Sequence, residues 1–126
     1  MANVELASEK VRVLDSQEAV DRLFYGRGWT DGLPVVAPTE ERIVKMLSGT
    51  HFAPQTVIAD IPPKWGPATV EKIAINAVMA GCLPEYMPVI ITAIKAMSHG
   101  EFNLYGIQAT THPVAPICIV NGPIAK

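Results

Sequence analysis

The chain reads as an α/β layered domain: a small sheet with four helices, completed by a partner chain. Three observations predict it. Stretches with the apolar period of a helix alternate with short β-branched runs, in the order β-α-β-α-β-α-α-β. The 126 residues are enough for one domain with one core. Apolar residues make up 49% of the chain and charged residues only 17%, against about 25% charged in ordinary soluble proteins. So apolar a small domain must bury nearly everything or cover surface with a second chain, identical or different.

Residues 1–14 read as a flexible lead-in, with the alternation of Val11, Arg12 and Val13 allowing a short edge strand. Residues 15–126 read as a single α/β domain. Asp15 or Ser16 opens a first helix, residues 17–25, with Ala19, Val20, Leu23 and Phe24 on one face. Asp31-Gly32 is a turn dipeptide, and residues 33–36 read as a buried strand. Thr39 caps a second helix. Glu40 and Glu41 lie in its first turn, where the dipole favours acids, and Ile43, Val44 and Leu47 form its apolar face. Residues 56–61 are a β-branched strand, and the proline-rich stretch 62–67 reads as an irregular loop.

The third helix carries the clearest signal. Val70, Ile73, Ala74, Ala77, Val78 and Gly81 recur at the spacing of one buried face. Pro67 suits its first turn, Thr69 could cap it, and Gly81 suits the residue just past its end. A fourth helix begins near Pro84 or Pro88 and runs to Met97, apolar over most of its circumference. Residues 101–111 are ambiguous. Residues 115–120, Ala-Pro-Ile-Cys-Ile-Val, read as a further strand.

Several function classes have no support. A net charge of −2 leaves no electrostatic footprint for nucleic acid, and no basic run suits an anionic membrane. The longest apolar run, residues 88–96, is broken by Thr92 and Lys95. It falls far short of the roughly 20 residues that span a bilayer. No secretory leader is visible, and two cysteines are too few for a disulfide framework. The expectation is a cytoplasmic protein with reduced thiols. Dinucleotide, P-loop, zincin and nucleophile-elbow motifs are absent, so no cofactor is specified.

Three blocks carry a family resemblance. They are Gly28-Trp29-Thr30-Asp31-Gly32-Leu33-Pro34 with residues 38–42, then residues 69–82 with Pro84-Glu85-Tyr86, and finally Gln108-Ala109-Thr110-Thr111 with residues 119–124. Over about residues 26–125 they resemble the N-terminal portion of the bacterial UGSC-associated cysteine and selenocysteine proteins, whose longer members continue past the Asn-Gly-Pro block. The Gly-Ser-Cys redox motif of that family is absent here. The resemblance implies a role beside thiol or selenol chemistry.

The candidate residues follow from chemistry and position. Cys82 comes just past a helix C-terminus, a position that does not activate a nucleophile. It reads as a small buried hydrophobe or as a thiol or metal ligand facing a shared cleft. Cys118 reads as a buried, inert strand thiol. His112 precedes Pro113 at the start of an expected strand, which holds its ring as general base, ligand or simple loop residue. Asp31, between Trp29 and Gly32, suits cation binding or an Asx turn. Glu71 reads as a helix-dipole partner. The expectation is a site at a subunit boundary with Asp31, Cys82 and His112 as its catalytic wall and Trp29, Thr111 and Asn121 contacting a small-molecule substrate. The reaction would be thiol-linked redox or carbon–heteroatom cleavage. Two rivals are a metal-dependent hydrolase or lyase using His112, Asp31 and a cysteine, and a non-catalytic structural or regulatory subunit.

Overall fold

The structure is a computed structural model that describes residues 4–125. It is a small mixed α/β domain of five α-helices and one two-stranded antiparallel sheet. In chain order these are α1 (Gln17–Gly26), α2 (Glu40–Leu47), β1 (Val57–Ile61), β2 (Gly66–Thr69), α3 (Val70–Met79), α4 (Met87–Met97) and α5 (Leu104–Ala109).

Local chemistry explains the helix starts. The side chains of Ser16, Thr39 and Thr69 accept hydrogen bonds from the N–H groups of Ala19, Arg42 and Lys72, satisfying donors that the first turn leaves without partners. Gly81 takes φ +76 just beyond α3, a conformation that favours glycine. Gly49 permits a close approach: a Cβ there would collide with the Pro84 carbonyl. The end of α2 can therefore lie directly against the turn at Pro84–Tyr86 that leads into α4.

The core forms where α2, α3 and α4 meet. Ile43, Met46 and Leu47 come from α2, Val70, Ile73, Ala74, Ala77 and Val78 from α3, and Met87 and Ile91 from α4. The α3 stripe is as the spacing predicts. On α2 the expected face is corrected by one position: Met46 is buried and Val44 exposed, because 43, 46 and 47 share one side of the helix. In α4 only Met87 and Ile91 are fully buried, and Ile90 and Ile94 pack against the core while partly exposed.

The strands depart furthest from expectation. Residues 56–61 do yield β1, but its partner is β2, drawn from the proline-rich stretch expected to be irregular. Asp60 pairs with Pro67 and Ile61 with Gly66. Both strands of a two-stranded sheet are edges, where proline is tolerated. Pro67 thus belongs to β2 rather than to the first turn of α3. No strand forms at residues 33–36; instead the Val36 N–H donates to the carbonyl of Met79 at the end of α3 (3.1 Å). Residues 10–14 form no strand either, and residues 4–8 are not loose: Val4 and Leu6 pack on the core. The ambiguous stretch resolves into a short turn at Gly100–Phe102 and α5, whose Leu104 is buried. Residues 115–120 form no strand, and every described residue from 110 onward is exposed.

Candidate functional site

A groove of about 640 Å³ lies between residues 6–13, α1, the start of α2 and α3. Its floor is apolar. Leu23 and Phe24 of α1, Ile43 of α2, and Ile75 and Met79 of α3 face it, and Trp29 closes one end. Trp29 is fixed by its own N–H, which donates to the Phe24 carbonyl (2.9 Å), and by an edge-to-face contact with the Phe24 ring at 5.4 Å. The Arg27 guanidinium lies 5.5 Å from the Trp29 ring centre.

One wall of the groove is residues 6–13, which have no regular structure and are held by a buried carboxylate. Glu71 is only 1% exposed. It accepts hydrogen bonds from the N–H groups of Ala7 (3.0 Å) and Ser8 (2.8 Å) and from the Gln55 amide (2.6 Å). Burial by itself opposes the charge. The hydrogen bonds from the Ser8 side chain and from the Ala7 and Ser8 N–H groups, joined by Gln55, outweigh it and hold the carboxyl below its ordinary value of 4.5. The dipole role expected of Glu71 is thus the lesser part of its work. The sequence did carry a signal for its burial: Glu71 stands three residues before Ala74 and seven before Val78, on the same side of α3 as two core residues. Lys10 adds an exposed ion pair to Glu40 (2.9 Å) at the groove rim.

Of the six residues expected at a site, only Trp29 lines this groove. Asp31 is exposed, and its carboxylate accepts from the Leu33 N–H (3.1 Å), the Asx-turn geometry. The Thr30 hydroxyl completes that turn, donating to the Leu33 carbonyl and accepting from Gly32. A smaller hollow of about 300 Å³ lies beside it, lined by Asp21, Arg22, Tyr25 and residues of the turn, without Asp31. Cys82 is half-buried against the core, with its N–H on the Ala77 carbonyl (2.9 Å). Thr111, His112 and Asn121 are all exposed, and the His112 N–H donates to the Thr110 hydroxyl (3.1 Å). Cys118, expected to be buried, is exposed as well, because the strand that would have covered it does not form.

Neither concavity gathers Asp31, Cys82 and His112. Among the described residues no three His, Cys, Asp or Glu side chains converge as metal ligands, so these residues form no ligand set within one chain. Among the same residues, no helix is long and apolar enough to cross a membrane. Comparison of the chain with protein-family models, with curated proteins and with solved structures gives no match in any of the three.

Proposed function

We propose that the chain is one subunit of a multi-chain enzyme acting on a small molecule, with its site completed at a subunit boundary. One observation carries this reading: residues 114–120 are apolar, without regular structure and uncovered. Ile117 is 87% and Ile119 84% exposed, with Val114, Val120 and Ile124 also open to solvent. This segment is part of a large exposed total. The chain exposes 9235 Å², about 40% more than a compact monomer of 13.6 kDa. Covering a single exposed isoleucine contributes roughly 1.5–3 kcal/mol, so several together can drive association.

His112 and Asn121 flank this segment, so a chain that covers it also covers them. Thiol-linked redox or carbon–heteroatom cleavage is the chemistry that the resemblance implies, and the exposed Cys118 thiol lies within the same uncovered segment. The metal-dependent alternative would need ligands from the partner as well. A non-catalytic subunit is the second reading, favoured by the Asp31 carboxylate already being engaged in its own turn.

Light scattering of the chain expressed alone tests the association. The expected result is a dimer or larger species, reverting toward monomer in Ile117→Ser/Ile119→Ser. A cooperative monomer at micromolar concentration would overturn the proposal. Turnover by the reconstituted assembly then separates the two readings. His112→Ala and Asp31→Ala reduce it if these residues act, and full turnover in both leaves the structural subunit standing.

A further inference from the structure

The groove over Glu71 contains none of Asp31, Cys82 and His112, and its character differs from theirs. It is a continuous apolar trough with few polar groups. Its volume of about 640 Å³ lies in the middle of the roughly 300–1,000 Å³ typical of small-molecule sites. The charges around it are one-sided. Three carboxylates line it, those of Glu9, Glu40 and Glu71, against a single ammonium, Lys10. Lys10 is already paired with Glu40, and Glu71 is held by the backbone of residues 7 and 8. An anionic ligand would therefore meet net negative charge with no unengaged cation on the lining. A neutral or cationic one meets no such penalty.

Asn76 on α3 also lines the groove, but it is exposed, and its amide nitrogen donates to the Lys72 carbonyl (2.8 Å). Trp29 lines the groove too, with the Phe24 ring edge-to-face against it and the Arg27 guanidinium 5.5 Å from its ring centre. From the apolar floor and the charge of the lining together, we propose that the groove binds a neutral or cationic apolar small molecule. Residues 6–13 form one wall of the site, and the Glu71 hydrogen bonds keep that wall in place. The site lies within one chain and goes beyond the boundary function proposed above.

A matched pair of fluorescent probes tests this on the full chain. N-phenyl-1-naphthylamine is neutral, apolar and carries an N–H. 1-Anilinonaphthalene-8-sulfonate is nearly the same molecule with an added anion. The neutral probe is expected to saturate at one per chain and to bind about tenfold or more tightly than the sulfonate, since like charges at a partly desolvated site cost upwards of 1.4 kcal/mol. Val20→Phe fills the groove from α1 and should weaken the neutral probe with the circular dichroism unchanged. Glu9→Lys/Glu40→Lys, both on the exposed rim, should reverse the preference in favour of the sulfonate without touching the core. Should Val20→Phe fail to fold, the rim variant decides alone. Ile117→Ser/Ile119→Ser controls for probe on the exposed C-terminal segment and should leave binding intact. Equal affinity for the two probes, no reversal in the rim variant, or loss of binding in the Ile117/Ile119 variant would each overturn the proposal.

Discussion

Residues 56–61 and 115–120 are close in composition and opposite in fate. One is Thr-Val-Ile-Ala-Asp-Ile, the other Ala-Pro-Ile-Cys-Ile-Val. The first contains β1, paired to β2 and packed against α4. The second is exposed along its whole length and bonds to no strand. Side-chain preference does not separate them, since both are rich in β-branched residues. The separating factor is a backbone partner within reach. β1 has one across a four-residue connection, where the chain reverses and returns as β2. Residues 115–120 have none nearby, and Pro116 also lacks the N–H that pairing would use. A strand is a relation between two segments, and the difference between these regions is one of neighbours.

The comparison can be broken by substitution, and the largest expected effect lies in the packed half. Met87 is fully buried where α2, α3 and α4 meet. Met87→Ala should cost about 2–5 kcal/mol in chemical denaturation, from lost burial and an unfilled cavity. Ile117→Ala, although it removes a comparable apolar side chain, should change the stability of the isolated chain by less than about 0.5 kcal/mol. Similar losses at the two positions would show that residues 115–120 are covered after all.

Ala77, 5% exposed on the α3 stripe, probes the same core from the opposite direction. Ala77→Leu inserts volume where α3 meets its neighbours and should cost about 1–3 kcal/mol, read as a lowered melting temperature. An unchanged melting temperature would place the tight face elsewhere on the helix.

A third prediction concerns the buried carboxylate of Glu71. Glu71→Gln keeps the size of the side chain but removes the charge and turns one of the two oxygens that accept from Ala7, Ser8 and Gln55 into an NH2 donor, at a cost of about 1–3 kcal/mol near neutral pH. The sign of its pH dependence follows from the lowered pKa. A carboxyl more acidic when folded contributes stability that is present above its unfolded pKa and lost as pH falls through the folded value. The gap between wild type and Glu71→Gln should therefore be widest above pH 4.5 and close as the solution is acidified below the folded pKa. Denaturation curves over an acid pH series measure this, and a gap that widens toward low pH would contradict the assignment.

The thiols sharpen the comparison with little expected effect on stability. Cys118 in the uncovered segment should react with a thiol reagent at nearly the rate of the unfolded chain, and Cys82, half-buried against the core, much more slowly. Under assembly with a partner the Cys118 rate should fall while the Cys82 rate stays. Equal native rates for the two thiols would remove the contrast between the regions.

What the sequence determined by itself was local. The caps at Ser16, Thr39 and Thr69, the apolar stripe from Val70 to Val78 and the Asx turn at Asp31 all follow from residues within one helical turn or one loop of each other. Contacts of that range are encoded in spacing and side-chain type. Tertiary structure decided everything that depends on a distant neighbour. It paired β1 with a proline-containing strand, put the Val36 N–H on the end of α3, turned Val44 outward and left residues 115–120 without cover. It also turned Glu71 from a helix-dipole partner into the anchor of residues 7 and 8, more than sixty positions away in sequence. The candidate site divides the same way. Trp29 was expected beside Asp31, Cys82 and His112 and instead lines a groove that holds none of them. That groove was not legible, because its walls come from four separate segments that only packing brings together. Hydrogen-bonding and apolar groups state in sequence what they need, but which distant group supplies it is settled by the competition among all of them for a limited buried volume.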